Sequence, residues 1–303
     1  MLNVNRMRML REVASHGGIA AAAEALFMSP SAVSQQMAVL EREVGSPLLE
    51  RHGRGVRLTA AGESLVAHTD RVLAVLEEAR ADLADISASV AGNLNTCAFP
   101  TAARALLVPA LAVLKKRHPR LRLHMTDLEP EESIPQLKRG ELDVIISYGY
   151  DRLPEKEDPS IERLLLMTEP HHIALPMAHP EAAHGGPVRL ADLSDEQWIV
   201  GRDGSPFMEV MLRIANEAGF TPRVDLLSND YQVLLAAVEA GLGVALVPPL
   251  ARFSTYPGVA FRDCADIDIN RRVVAVIRSG SARAPAVAAA LQAVREVAYQ
   301  LSA

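Results

Sequence analysis

The sequence predicts an α/β body made of two similar lobes, preceded by a small helical domain and one long helix. The chain has 303 residues, and at roughly 100–200 residues per domain this length indicates two or three domains. Residues 92–303 alternate short β-rich runs with helical patterns, which is the order of an α/β fold with mostly parallel sheets. The first 60 residues instead repeat apolar side chains at helical spacing.

Composition narrows the class of protein. Apolar residues make up 49% and charged residues 22% of the chain, which is ordinary for a globular protein and excludes a disordered one. The longest uncharged run, 86–103, contains polar residues and proline and is therefore no membrane span. No apolar segment precedes Arg6, so no secretory signal is expected and the protein is predicted to be cytoplasmic. Two cysteines, Cys97 and Cys264, make neither a disulfide framework nor a metal site alone.

Charge is distributed unevenly along the chain. The net charge is −6, which at first argues against a nucleic-acid partner. Residues 1–60, however, hold seven arginines and five glutamates, so this segment is mildly basic and the remainder carries the acidic excess. A basic head on an acidic body fits a DNA-binding module attached to another domain.

The first 45 residues predict three short helices separated by tight turns. This order matches a helix-turn-helix, in which the N-terminal residues of the last helix reach base edges in the major groove. Residues 48–59 then predict a two-stranded wing, with Gly53 and Gly55 at its turn. The predicted helices lie around Met7–Ala14, ended by Gly17 and Gly18, over Ile19–Leu26, and from about Ser31 to Val44.

One long helix is predicted from about Ala60 to Ala88. Its apolar positions are spaced alternately by four and three residues, a heptad seam typical of a helix that pairs with a second copy. The alternative is a helix that packs on its own domain. The seam consists of Leu65, Thr69, Val72, Leu76, Ala79, Leu83 and Ile86, of which Leu65, Val72, Leu76 and Leu83 are the predicted dimer contacts.

A faint internal repeat indicates two lobes of similar design. In each, a glycine (Gly140 or Gly241) follows a helix and precedes a buried strand, where a helix C-cap is needed. The last strand and helix are expected to return to the first lobe, so that crossings near Leu164–Thr168 and Asp263–Asp268 form a hinge. A cleft between two such lobes is a natural small-molecule site.

The first 62 residues also carry a nearly continuous set of motifs: Ala22-Ala23, Leu26, Ser31–Gln36, Leu40-Glu41, Val44–Arg51 and Arg57–Gly62. In order and spacing this set resembles the N-terminal signature of LysR-type transcriptional regulators. The later layout is similar to that family too, with a linker helix, a two-lobed domain and the segment Val238–Pro248.

The resemblance implies three parts and a function. They are a winged helix-turn-helix DNA-binding domain over 1–59, a linker and dimerisation helix over 60–90, and an effector-binding domain over 91–303, similar to type II periplasmic binding proteins. Lobe I is expected at about 91–165 and 268–303, and lobe II at about 166–267. The expected protein is a regulator and not an enzyme, with no cofactor and no metal. Its expected partners are promoter DNA, a small-molecule effector, further copies of itself in a homodimer or homotetramer, and RNA polymerase. No association with a membrane is expected.

Four positions depart from the family pattern. Ala20 stands where serine or threonine is common, which puts one phosphate contact in doubt. Ile19 replaces a common large aromatic residue, and Leu49 conservatively replaces a frequent phenylalanine. Gln35 stands where arginine is frequent, which puts the base preference of the recognition helix in doubt.

The predicted DNA contacts lie at the start of the third helix and in the wing. Ser31 either caps that helix or contacts DNA, and Gln35 either reads adenine or contacts a phosphate. Arg54 at the wing tip is expected in a minor groove, with its arginine neighbours on phosphates; the alternative is a solvated surface. The predicted contacts are Pro30, Ser31, Ser34, Gln35, Gln36, Arg51, Arg54 and Arg57.

The predicted effector site follows from the family positions in the two lobes. Helix N-termini favour a carboxylate, and an acidic cluster at residues 129–132 would hold an ammonium, so the expected effector is a carboxylate or an amino acid. Thr101 and Asp230 alternatively cap their helices, and Glu131 and Glu132 alternatively decorate a helix N-terminus. The predicted contacts are Pro100, Thr101, Glu129, Ser147, Tyr148, Gly201, Arg202, Ser205, Phe207, Asn229 and Asp230.

Three other classes of protein compete with this interpretation. An enzyme is disfavoured because the four histidines between residues 171 and 184 lack metal-ligand spacing, and no nucleophile-elbow or phosphate-loop motif is present. A cysteine-based redox-sensing regulator stays open, although Cys97 and Cys264 also read as small buried apolar residues. A solute-binding protein would not need residues 1–60.

Overall fold

The computed structural model describes residues 2–52, 55–85, 90–154, 158–252 and 255–302. The chain separates into two compact units. The N-terminal unit consists of Met1–Ser87 with the short segments Asp158–Ile161 and Arg278–Ala284, and the C-terminal unit consists of Ala88–Glu157, Glu162–Ile277 and Pro285–Ala303. No helix within the described ranges is long and apolar enough to cross a membrane.

The N-terminal unit has the predicted winged helix-turn-helix and long helix. Leu10 of the first helix and Val33 and Leu40 of the third are fully buried in its core. The two wing strands pair in antiparallel register, with residues 53 and 54 between them in the sequence. The elements are α1 (Val4–Ser15), α2 (Ile19–Ala25), α3 (Pro30–Val44), β1 (Leu49–His52), β2 (Gly55–Leu58) and α4 (Ala60–Asp85); the predicted end of the long helix at Ala88 lies outside the described residues.

The C-terminal unit holds two five-stranded sheets, one for each lobe. The first sheet has the order β4-β3-β5-β12-β6 and the second β11-β7-β10-β8-β9, with strand bounds β3 (Gly92–Ala98), β4 (Leu121–Asp127), β5 (Val144–Tyr150), β6 (Ile161–Pro170), β7 (His172–Pro176), β8 (Gln197–Val200), β9 (Arg223–Leu227), β10 (Val244–Val247), β11 (Val259–Arg262) and β12 (Asn270–Arg278). Both sheets are mixed and not mostly parallel as predicted, because β12 returns antiparallel to β5 and β7 runs antiparallel to β10 and β11.

Helices cover these sheets. The predicted single helix 101–117 is interrupted by a π turn, Ala103–Leu107, which precedes Pro109; proline has no N–H to continue an α-helical ladder. The sequence analysis did not predict the short α8. The bounds are α5 (Pro100–Ala102), α6 (Val108–Arg117), α7 (Pro130–Arg139), α8 (Pro180–His184), α9 (Pro206–Glu217), α10 (Tyr231–Glu239) and α11 (Pro285–Ser302).

Two crossings connect the lobes. Strand β6 stays in the first sheet as far as Pro170, so this crossing comes after residue 170 and not at 164–168 as predicted. The return crossing lies between Arg262 and Asn270. The two are joined directly, because the backbone N–H of His171 donates to the carbonyl of Ile269 at 2.8 Å.

Candidate functional site

The start of α3 is capped by a residue that the sequence analysis did not single out. Ser29 is the N-cap, and its hydroxyl accepts a hydrogen bond from the backbone N–H of Ala32 at 3.2 Å. Pro30 occupies the first turn, where its missing N–H costs nothing. The capping alternative for Ser31 is therefore wrong. Ser31 is exposed, with its Oγ 3.0 Å from that of Ser29.

One face of α3 is polar and exposed. Ser31, Ser34 and Gln35 lie on it at helical spacing, whereas Gln36 is half-buried at its side. The opposite face carries the buried core residues of the helix. Arg42, seven positions after Gln35, continues the exposed face. The sequence analysis missed Arg42, although its spacing from Ser31, Ser34 and Gln35 was the available signal.

Two contacts fix the wing, one to α3 and one to α4. The carboxylate of Glu41 accepts hydrogen bonds from the backbone N–H groups of Leu48 and Leu49 at 2.8 and 3.1 Å. Gly62, in the first turn of α4, lies so close to the carbonyl of Leu48 that a Cβ would come within 2.2 Å of its oxygen. The motif residues Glu41 and Gly62 thus place the strands of the wing.

The wing carries two of the three predicted arginines within the described residues. Arg51 is exposed on β1. Arg57 faces Glu50 directly across the hairpin, with Nε 2.5 Å from Oε1. Such exposed pairs are worth about 0–1 kcal/mol, so Glu50 holds Arg57 only weakly. Arg54 lies outside the described residues.

The predicted seam on α4 divides into two parts. Leu65 is 8% exposed and belongs to the core of the N-terminal unit, which contradicts its prediction as a dimer contact. Thr69 is fully buried too, with its hydroxyl donating to the carbonyl of Leu65 at 2.7 Å. Val72, Leu76 and Leu83 stay exposed, Leu83 by 70%. Ile86 lies outside the described residues.

Between the lobes of the C-terminal unit lies a cavity of about 130 Å³. The first lobe contributes the ends of β3 and β5 and the start of α5, and the second contributes the starts of α9 and α10. Seven of the eleven predicted effector contacts line it. The lining residues are Phe99, Pro100, Thr101, Glu129, Tyr148, Tyr150, Phe207, Asn229, Asp230, Tyr231, Gln232 and Arg271.

Four predicted contacts are not among the lining residues. Side chains alternate along a strand, so Ser147 points away from the face that carries Tyr148 and Tyr150. Ser205 caps α9 and accepts a hydrogen bond from the N–H of Met208. The other two are Gly201, which packs against Ser205 and Asn229, and Arg202, whose N–H donates to the Asn229 side chain.

The floor of the cavity contains a buried ion pair. Arg271 and Glu169 are 1% and 2% exposed, and Nε of Arg271 donates to Oε1 of Glu169 at 2.8 Å. Burial alone would lower the pKa of Arg271, but Glu169, Tyr231 and Tyr150 together more than offset this, and the net pKa is raised. The guanidinium also donates to Oγ1 of Thr101 at 3.3 Å. Thr101 therefore contacts Arg271 and does not cap its helix, whose N-cap is Phe99.

Five aromatic rings surround the remaining space. Phe99 and Tyr148 meet edge to face with centroids 4.8 Å apart, and Phe207 and Tyr231 lie 5.7 Å apart. The fifth ring belongs to Tyr150, which is 2% exposed. Its hydroxyl interacts with that of Tyr231.

Two carboxylates, those of Glu129 and Asp230, line the cavity. Glu129 accepts a hydrogen bond from the hydroxyl of Tyr148 at 3.2 Å, and burial raises the pKa of this carboxyl. Asp230 caps α10, accepting a hydrogen bond from the N–H of Gln232 at 2.8 Å, and it also lines the cavity. Glu131 and Glu132 are exposed in the first turn of α7 and do not line it.

The two cysteines are free thiols. Burial raises the pKa of Cys97 to about 11 and also raises the pKa of Cys264. Both thiols are therefore protonated at neutral pH, and the protonated thiol is the unreactive form. The described residues hold no group of three histidine, cysteine or acidic side chains placed to bind a metal.

A winged helix-turn-helix joined by a long helix to a two-lobed body with an interlobe cavity defines the architecture of a ligand-responsive DNA-binding regulator. Family models match both parts: "bacterial regulatory helix-turn-helix protein, lysR family" over residues 4–63 and "LysR substrate binding domain" over residues 87–298. The chain belongs to the LysR family of transcriptional regulators.

Relatives and solved structures agree with this assignment. The regulator CbbR of Xanthobacter flavus is 29% identical over 248 residues, covering 80% of this chain and 72% of CbbR. OxyR of Escherichia coli is 27% identical, covering 92% and 90%. Among solved structures, an OxyR variant of Corynebacterium glutamicum is 26% identical with a TM-score of 0.59 and covers 100% and 93% of the two chains.

Proposed function

We propose that this LysR-family regulator binds promoter DNA through the exposed face of α3 and the wing. The single observation that carries the proposal is the face formed by Ser31, Ser34, Gln35 and Arg42, which is exposed although the opposite face is fully packed. Short polar side chains at the start of a recognition helix suit close approach to base edges, and a glutamine can bond adenine with both its donor and its acceptor.

Assembly and ligand binding complete the proposal. The exposed stripe Val72, Leu76 and Leu83 pairs α4 with a second copy, so that two heads reach two half-sites. A small-molecule effector occupies the interlobe cavity and biases the lobes toward the state that it binds better. The protein acts in the cytoplasm with RNA polymerase as a further partner, it has no catalytic role, and its parts are 1–59, 60–90 and 91–303.

A redox-sensing regulator is the competing function, since OxyR is among the relatives. The high pKa values of Cys97 and Cys264, caused by burial, disfavour it because the thiolate is the form that reacts with peroxide.

The test is fluorescence anisotropy on duplexes selected by the full-length protein from a random library. Gln35→Ala is expected to weaken binding to the selected site by about 1–3 kcal/mol while leaving non-specific duplexes unaffected. Gln300→Ala is the matched control, because Gln300 is an exposed helical glutamine of α11. Equal affinities of the two variants for the selected site would contradict the assignment of this face.

A further inference from the structure

We infer that the interlobe cavity takes a small organic ammonium ion that carries an apolar group. The inference rests on the proposed function, in which this cavity is the effector site, and it names the chemical class of that effector. The sequence predicts a carboxylate or an amino acid as the effector. The inferred ligand has the ammonium group of an amino acid but no carboxylate.

The charges around the cavity favour a cation. Arg271 is the one cationic side chain among the lining residues, and Glu169 already compensates it at 2.8 Å. Glu129 and Asp230 also line the cavity, and neither forms an ion pair with another described residue. A bound ammonium would reduce this negative excess, whereas a bound carboxylate would increase it.

The hydrogen-bonding groups point to the same class. Tyr150 lines the cavity together with Glu129. An ammonium offers several N–H donors, and a phenol oxygen and a carboxylate both accept them. By contrast, Nε and Nη2 of Arg271, which would hold a carboxylate side-on, are both engaged by Glu169.

The rest of the lining is aromatic, and aromatic faces attract cations. The rings of Phe99, Tyr148 and Tyr231 already stabilise one cation, because Cζ of Arg271 lies 4.9, 5.5 and 5.8 Å from their centroids. Ammonium ions in aromatic cages gain about 0.5–2 kcal/mol from this interaction. Phe207 adds apolar surface for the substituent.

The volume limits the size of the ligand. A cavity of about 130 Å³ is comparable to an engineered apolar cavity of roughly 150 Å³ that holds benzene. The part of the ligand held in the cavity is therefore about the size of one ring, and benzylamine, one ring with a one-carbon ammonium arm, is a suitable probe.

The experiment compares four probes that share one phenyl ring, by calorimetry on the full-length protein. Benzylamine carries an ammonium, benzyl alcohol carries no charge, benzoate carries a carboxylate, and phenylglycine carries both charged groups. Benzylamine is expected to bind about tenfold or more tightly than each of the others. Glu129→Gln should remove most of this preference and leave benzyl alcohol unchanged, whereas the exposed control Glu141→Gln should change neither.

Other outcomes overturn the inference. Benzoate or phenylglycine binding as tightly as benzylamine, or an unchanged preference in Glu129→Gln, shows that the class is wrong although the cavity binds ligands. Failure of benzylamine to bind at millimolar concentration also overturns it. DNA affinity measured on the same preparations decides the proposed function separately.

Discussion

Glu169 lies at the end of β6, just before the first lobe crossing, and Arg271 lies at the start of β12, just after the return crossing. They form an ion pair in which both side chains are at most 2% exposed. The pair reaches into both lobes. Arg271 donates to the hydroxyl of Thr101 in the first, and Oε2 of Glu169 accepts from the backbone N–H of Leu250 in the second at 2.9 Å. One buried pair therefore links both lobes at the floor of the cavity.

Removing one partner of this pair should strongly destabilise the C-terminal unit. Glu169→Gln leaves the Arg271 charge buried without its counter-ion, which costs about 3–5 kcal/mol. Urea unfolding followed by Trp198 fluorescence measures this, because Trp198 is the chain's one tryptophan and is fully buried in the second lobe.

The matched control is Glu141→Gln, which breaks the half-exposed pair with Arg139. It is expected to cost less than about 1 kcal/mol. The double variant Arg271→Met with Glu169→Leu should recover much of the lost stability, because it leaves no uncompensated charge. Similar losses for Glu169→Gln and Glu141→Gln would contradict the assigned role.

The helices, strands and two-lobed order were predictable because each element satisfies a local periodicity. Strand β12 shows how far such patterns reach: alternation places Arg271 on the same buried face as Val273, which signals a buried arginine. Its partner Glu169 lies 102 positions earlier, and no local pattern joins them. Sequence reasoning therefore missed this pair.

The cavity was only partly predictable for the same reason. The family positions gave Thr101, Glu129 and Tyr148, but Ser147 was included although its neighbour Tyr148 occupies the cavity face. The aromatic residues missed there come from strand and helix ends, which become neighbours only through tertiary packing. The signal for Tyr150 was its two-residue spacing from Tyr148 along β5.

Disrupting the exposed stripe of α4 should dissociate the assembly without unfolding the chain. Leu76 is 43% exposed in the single chain, so Leu76→Asp costs little there. In a pair of helices it buries an uncompensated carboxylate, which costs several kcal/mol. Sedimentation velocity should then show a smaller species than the parent protein forms. Leu301→Asp, at a residue of α11 that is 49% exposed, is the control; an oligomer that survives Leu76→Asp would mean that this stripe is not the interface.

Peroxide should leave DNA binding unchanged. The pKa of Cys97 is about 11 because of burial, so the thiolate that reacts with peroxide is scarce at neutral pH. Anisotropy titrations of the reduced and peroxide-treated protein should give the same affinity, and Cys97→Ala should match both. If peroxide alters the affinity of the parent protein and Cys97→Ala abolishes that response, the redox-sensing function replaces the ligand-sensing one.

The affinity for benzylamine should increase with pH. Burial raises the pKa of Glu129, and its neighbours act in both directions: the Tyr148 hydrogen bond and Arg271 lower it, whereas Glu131 and Glu132 raise it. The empty cavity thus holds more of the protonated acid than an exposed glutamate would. A bound ammonium favours the carboxylate, so binding releases protons and strengthens as pH rises through the pKa of Glu129.

Calorimetry from about pH 5 to about pH 8 measures this dependence, since aliphatic amines stay protonated over that range. The affinity for benzylamine should rise across the range in the parent protein and in the exposed control Glu141→Gln. In Glu129→Gln the dependence should disappear, because the amide carries no titrating proton. Benzyl alcohol should show a flat profile in all three proteins, since it has no charge to interact with the carboxylate. A pH dependence that persists in Glu129→Gln would mean that another titrating group controls the cavity.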